Sequence, residues 1–418
     1  MLFNNFELED LYNFHEKGYS FSFSTACLNP LSIHQVLSLY EEKNQEFLLK
    51  DLLNLELDYS SKYGLEEFYS ALEHIYNQYS KLKFLSTSGA AEAIILLFSS
   101  LFTAGDSLII QKPIYPSLYK IPEGLGCRVI DWDFKWAEDF KLNLESLKKI
   151  IRENPEIKAL VINNPNNPCG YCFNESELKE LINILNGRYL IADEVFRDIC
   201  LKPIPAVANL YEKGISISDV SKSYGLQGLR VGWIATQDEK IIEKCLSQKS
   251  YFSLRTSILS EKIAALALNK REILSENSKI LIKRGLDKIY ENPRVIKLTQ
   301  NGTACKHTSS SNENTKIKDS KQPQASFLGE ASVDLPQDSF GGLCMLAKLN
   351  SNKNNLKSLT SDKPSSFANK NTENEDCEQS PIEDFFQELI KQGIFVLPGK
   401  VFGIEYSEYF RLSVLKLS

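Results

Sequence analysis

From about residue 84 to residue 236, short β-branched runs alternate with amphipathic segments of helix length. This alternation constrains the fold more than any other feature of the chain. Strands that recur with a helix between them bury their faces together in an α/β domain built on a mostly parallel sheet. Strands are expected at Ser107–Gln111, Arg128–Trp132, Ala159–Asn163, Tyr189–Ala192, Ile215–Ser218 and Arg230–Thr236. Helices are expected at Leu142–Arg152, with apolar residues at 142, 144, 147, 150 and 151, and at Glu175–Leu185, which follows Asn174, a good N-cap residue.

Two stretches break this pattern. Gly302–Glu330 and Asn350–Gln379 are rich in Ser, Asn, Lys and Thr and nearly devoid of large apolar residues. Neither can bury enough apolar surface to offset the entropy of ordering, so both are expected to be flexible insertions. Ser332–Leu349 between them looks structured, and Pro381–Gly399 after them reads as a helix running into a strand. At 418 residues the chain suggests two or three domains and can bury a large core without staples.

Composition excludes several classes. The net charge of −6 argues against a general nucleic-acid binder, which needs a cationic face. No apolar run approaches the roughly 18 residues of a membrane span. The start, MLFNNFELEDL, lacks the basic region of a secretory leader. Nine scattered cysteines fit free thiols in a reducing cytoplasm better than a disulfide frame.

The chemistry concentrates in four segments. Ser218–Trp233 (SDVSKSYGLQGLRVGW) sets a lysine just after an apolar strand, followed by glycines and an arginine. A lysine beside an anion site could form a Schiff base with an aldehyde cofactor, but a polar loop between strands is an equal reading of these residues alone. Asn163–Gly170 (NNPNNPCG) is an Asn/Pro turn at a strand end, where α/β ligand sites lie. Leu190–Arg197 (LIADEVFR) ends a strand on Asp193, and Ser86–Ala93 (STSGAAEA) is a small-residue turn opening a helix, where free N–H groups attract phosphate. Each segment alone is weak, since such turns and strand-end aspartates are commonly structural. Cys169-Gly170-Tyr171-Cys172 forms a C-x-x-C, but no second pair and no paired histidines accompany it, so no metal site is expected.

Together and in this order, the four segments resemble the class I/II aminotransferases, fold-type I pyridoxal-phosphate enzymes. The resemblance runs from about Tyr59 to Arg411. It implies a mostly parallel central sheet flanked by helices, with a smaller α/β domain built from both chain ends. The expected division is residues 1–49 as an N-terminal part of the small domain, 50–270 as the large cofactor domain and 271–418 as the rest of the small domain. It also implies pyridoxal 5′-phosphate as cofactor, an amino acid and a keto acid as substrates, and a homodimer with a shared active site.

By the same resemblance, Lys222 holds the cofactor as a Schiff base and Asp193 keeps the pyridine nitrogen protonated. Asn167 bonds the ring O3′ and helps place the substrate carboxylate, and Tyr115 stacks on the ring. Ala90 and Ala91 supply backbone N–H groups to the phosphate, and Arg230 supplies a guanidinium. Arg411 clamps the substrate carboxylate with its planar fork. Tyr59 reaches the neighbouring subunit's phosphate, although the Glu-Leu-Arg usual after the following glycine reads Glu67-Phe68-Tyr69 here.

Other residues depart from the family pattern. Phe196 stands where a tyrosine is usual. Cys169 replaces a threonine or serine. Asp219 stands where many members have a serine or threonine touching the phosphate. A carboxylate beside a phosphate dianion is repulsive, so Asp219 is expected to point elsewhere, with Ser221 or backbone groups taking over. Transamination is the expected activity. A lyase, a decarboxylase or a cyclase of amino acids on the same scaffold is the alternative. A cofactor-binding regulator is the rival from another class, disfavoured because no room for a DNA-binding domain is expected before Tyr59.

Overall fold

The computed structural model describes Phe6, Leu8 and residues 21–22, 26–76, 81–133, 143–291, 331–332, 344–349, 394–395, 397–402 and 409–413. Both expected insertions and the helix expected from Pro381 lie outside the described residues.

A two-residue strand, β1 (Phe21–Ser22), comes first. Seven strands then form the main sheet: β2 (Lys83–Thr87), β3 (Ser107–Lys112), β4 (Arg128–Asp133), β5 (Ala159–Asn163), β6 (Tyr189–Asp193), β7 (Gly214–Asp219) and β8 (Gly232–Thr236). Their order is β2-β8-β7-β6-β5-β3-β4. The five strands β3 to β7 pair in parallel, and β8 runs antiparallel to both β7 and β2. The mostly parallel α/β reading therefore holds. Strand β2 had no place among the expected strands.

Strands buried on both faces read as continuous apolar runs, and consecutive residues serve opposite layers. Ile110, Val161 and Ile191 pack on one side with Ile94, Leu97 and Phe98 of helix Ala90–Leu101. Ile109, Leu160 and Leu190 pack on the other with Leu147, Leu178 and Leu181. Helix Glu175–Leu185 begins at Asn174 as expected, with a complete capping box to Glu177.

The C-terminal strands are β9 (Ala331–Ser332), β10 (Cys344–Leu349), β11 (Ile394–Phe395), β12 (Leu397–Pro398) and β13 (Tyr409–Ser413). Four of them form a second sheet in the order β12-β13-β10-β9, while β11 pairs in parallel with β1. Near and far ends of the chain thus meet. Leu8 packs with Leu397, Val401 and Phe402 in a small cluster that Tyr115 joins.

The loop after β6 is held by buried charge. The Arg197 guanidinium pairs with Glu194 at 3.0 Å and with Asp198 at 3.2 Å, and lies 4.7 Å from the Tyr76 ring centre. Glu194 also accepts the Val207 N–H at 2.8 Å. Removing one member of a buried pair strands the other in low dielectric. We expect Arg197→Ala to lower the unfolding free energy by about 3–5 kcal/mol. Urea denaturation measures this, and a loss below about 1 kcal/mol would contradict it.

Candidate active site

The parallel strands deliver their C-terminal residues to one edge of the sheet, where open α/β sheets bind ligands. Register fixes the neighbours: Asn163 lies beside Asp193, Asp193 beside Ile217, Asp219 beside Gly232, and Gly232 beside Thr87. Four of the candidate segments therefore converge without any adjustment of the loops.

Asp193 is the buried end of β6, and its carboxylate accepts the Val195 N–H at 3.2 Å. Burial pushes its pKa up to about 7. The Val195 N–H opposes this, Asp219 and Glu194 add to it, and Lys222 opposes it. The Asn/Pro turn is tied to the same strand end. Asn163 donates to the Asp193 carbonyl at 2.9 Å and accepts the Asn167 N–H at 2.7 Å. Asn167 in turn accepts from Arg411 Nη1 at 3.0 Å, which brings β13 of the second sheet onto the site. Arg411 is 2% exposed and stands 5.1 Å from the Phe402 ring centre.

Lys222 lies three residues beyond β7, half-buried, with Nζ 2.9 Å from the Cys27 sulfur. Burial works against its ammonium, but Cys27, Asp219 and Tyr115 outweigh burial, so its pKa lies above the ordinary lysine value. The Tyr115 ring meets Phe6 edge-on at 6.1 Å.

An anion cup forms where helix Ala90–Leu101 starts. Its N-cap is Gly89, which brings no side-chain cap, so first-turn N–H groups including that of Ala91 have no intrahelical partner. Gly89 has φ +82°, and a Cβ there would come within 2.5 Å of Arg230 Nη2. A Cβ on Gly232 would strike the Ala90 nitrogen at 2.8 Å. Only glycines allow this closeness of guanidinium, helix start and strand. Arg230 itself adopts φ +53°, outside the strand expected to include it, and Nη1 donates to Ser221 Oγ at 3.3 Å.

Asp219 does not point elsewhere. Its carboxylate accepts the Ser221 N–H at 2.8 Å and the Ala90 N–H at 3.4 Å, so it occupies donors of the cup itself. The physical reason is that Asp219, at the end of β7, lies within hydrogen-bond reach of backbone N–H groups that favour a carboxylate. Phe196 is buried in the apolar cluster with Val195 and Ile199. Cys169 gives its thiol to Asn166 at 2.7 Å, and burial pushes its pKa up to about 12, an inert state for a thiol. Cys172 lies 3.1 Å from Cys200 rather than completing the C-x-x-C, and no cluster of metal ligands occurs among the described residues. Tyr59 is not brought into the cluster; its side chain is 72% exposed.

The sequence profile of the family "Aminotransferase class I and II" matches residues 42–291. The chain belongs to the class I and II aminotransferases. Among curated relatives, it is 27% identical to the capreomycidine synthase of Streptomyces vinaceus over 194 residues, 46% of this chain and 49% of that one. It is 27% identical to the aspartate aminotransferase of Sulfurisphaera tokodaii over 251 residues, 57% and 62% of the two chains. The chain thus spans about half to three-fifths of the length of these relatives. Its fold is that of a PLP-dependent aminotransferase from Streptococcus suis (TM-score 0.76, 24% identity, 100% and 95% coverage) and of a PLP-dependent cyclase, OrfR (TM-score 0.73, 20% identity, 99% and 93% coverage).

The cofactor of this aminotransferase family is pyridoxal phosphate, and the residues present fit it. The cup offers backbone donors and Arg230 to a phosphate, and glycines keep the space between them clear of Cβ atoms. Two expectations follow for the chain. The Asp193 pKa is raised by folding, so stability should be fully present below the ordinary value of 3.8 and fall as pH rises towards about 7. Asp193→Asn should therefore melt with wild type near pH 4 but at higher temperature near pH 8, a gain of about 1–4 kcal/mol. Equal melting at both pH values would contradict this. Asp219→Ser should tighten pyridoxal phosphate binding about tenfold or more, because the resident carboxylate competes with the phosphate. Weaker binding in an absorbance titration would contradict it.

Proposed function

We propose that this chain transfers an amino group between an amino acid and a 2-keto acid, with Lys222 as the amine that holds the cofactor. The observation that carries the reading is the convergence of Lys222, Asp193, Asn167, Arg411 and the Arg230 cup on one sheet edge. Pyridoxal phosphate, when bound, supplies an aldehyde for amines and a ring that accepts electrons from the substrate Cα.

The protein's own groups divide the remaining work. Ala90, Ala91 and Arg230 hold the phosphate. Asp193, the buried acid, is suited to keep a proton on the ring nitrogen, because a cationic partner offsets the desolvation of its carboxylate. Arg411 offers its fork to the substrate α-carboxylate, while Asn167, bonded to Nη1, fixes its orientation and is suited to reach the ring oxygen. Tyr115 is the candidate for stacking on the ring. With the cofactor bound, the Lys222 amine would serve as the base that takes the proton from the substrate Cα and as the acid that gives it back.

A homodimer with a shared site belongs to the same reading. Large apolar side chains stand exposed at Phe47 (71%), Leu53 (77%), Leu57 (78%), Tyr59 (72%) and Tyr251 (87%), which supports a covering partner copy. Division into a large cofactor domain and a small domain from both chain ends is also part of it. So is a reducing cytoplasm, supported by six free cysteines among the described residues. No helix among the described residues is long and apolar enough to cross a membrane.

A second reading has its own support. The likeness to a capreomycidine synthase and, in fold, to a PLP-dependent cyclase favours cyclisation or elimination on the same residues. Incubating the loaded enzyme with single amino acids separates the two. Pyridoxamine phosphate and a keto acid are expected; a cyclic amino acid, or keto acid with free ammonia, would replace transamination by the second reading. Lys222→Ala should keep cofactor binding and lose turnover about a thousandfold or more. Turnover within tenfold of wild type would remove Lys222 from the mechanism.

A further inference from the structure

We propose that Cys27 is a positioning residue for Lys222: its sulfur holds the lysine ammonium until the cofactor aldehyde displaces it. The proposal rests on the reading that Lys222 takes the aldehyde. Its ground is the 2.9 Å contact between Lys222 Nζ and Cys27 Sγ, which joins residues 195 positions apart.

The contact is built, not incidental. The segment carrying Cys27 is fastened to the loop that carries the lysine. Leu31 N–H donates to the Gly225 carbonyl at 2.9 Å, and Gln227 Nε2 donates to the Leu28 carbonyl at 3.3 Å. Gly225 has φ +69°, and a Cβ there would meet the Asn29 carbonyl oxygen at 2.8 Å. Only glycine lets the two backbones approach so closely. On either side of Cys27, Ala26 and Leu28 are buried, and Ala26 belongs to the same core cluster as Ile217 of β7. Anchors before and after the cysteine leave its side chain facing the lysine.

Four groups bear on the lysine charge: Cys27 from the N-terminal segment, Asp219 from the end of β7, Tyr115 from the turn after β3, and Asp193 from the end of β6. Among those acting on Lys222, Cys27 is the largest favouring its ammonium, and burial opposes it. A lysine held as an ammonium cannot attack an aldehyde, since attack needs the free amine. Removing the sulfur leaves burial a freer hand and raises the fraction of free amine.

The test is the pH dependence of cofactor uptake by the full chain after dialysis against a cofactor scavenger. Visible absorbance follows formation of the covalent link between the lysine amine and pyridoxal phosphate, and borohydride reduction confirms it. Cys27→Ala should take up cofactor about tenfold faster at neutral pH, its rate profile displaced by about one unit to lower pH. Cys27→Ser, which keeps an acceptor at the same place, should restore a profile nearer wild type. A Cys27→Ala profile that superimposes on wild type, while Lys222→Ala binds cofactor without a borohydride-reducible adduct, would overturn the proposal and leave the Lys222 reading standing. A Lys222→Ala chain that still holds the cofactor as a borohydride-reducible covalent adduct would remove that reading, and the proposal with it.

Discussion

The rear of the site hangs on one buried cation. Arg197 neutralises Glu194 and Asp198, and each carboxylate reaches a different part of the molecule. Glu194 accepts the N–H of Val207 and its own N–H donates to Ile217 of β7 at 2.7 Å. Asp198 accepts the Tyr224 hydroxyl, two residues after Lys222, and lies 3.8 Å from Arg271 at the start of the long helix Arg271–Glu291. The loop after Asp193 and the loop after Lys222 are therefore fixed relative to one another through charge buried away from water. Such a network is costly to break and correspondingly rigid. Acid and amine can be held in register by it even though their loops share no strand.

The front of the site is balanced differently. Its cup is a set of backbone donors, two of which, the N–H groups of Ala90 and Ser221, bond Asp219. Lys222 has an equivalent internal partner in Cys27. Both contacts satisfy groups that are costly to leave unpaired in a half-buried site. Cofactor binding then exchanges internal partners for external ones, so net affinity is a difference between two sets of contacts rather than a sum of one.

Much of this was legible in the sequence, for identifiable reasons. Ala159–Asn163 and Glu175–Leu185 fall where the pattern placed them, the first because a doubly buried strand is a continuous apolar run, the second because Asn174 and Glu177 form a capping box. Strand Lys83–Thr87 was missed because KFLST carries a weak apolar signal and draws its stability from pairing with β8. Arg230 was read into a strand, yet its left-handed backbone depends on a guanidinium lying over Gly89, a contact between residues 141 positions apart. Lys222, Asp193, Asn167, Arg230 and Arg411 stood out in the sequence because of their local motifs, and their roles belong to the proposed function. Asp219 was misplaced because repulsion from a phosphate was weighed without the Ala90 and Ser221 N–H groups that lie beside it. Cys27 carries no motif at all; only the Gly225 close approach brings it to the lysine.

The central claim is that Lys222, among the lysines of the site region, is the amine that carries the cofactor. Borohydride reduction of the cofactor-loaded chain fixes the cofactor covalently on whichever lysine holds it, and peptide mass mapping locates it. The account predicts a single pyridoxyl label on the peptide containing Lys222. A label on Lys112 or Lys249, the buried lysines of the described residues, or no label at all, would contradict it.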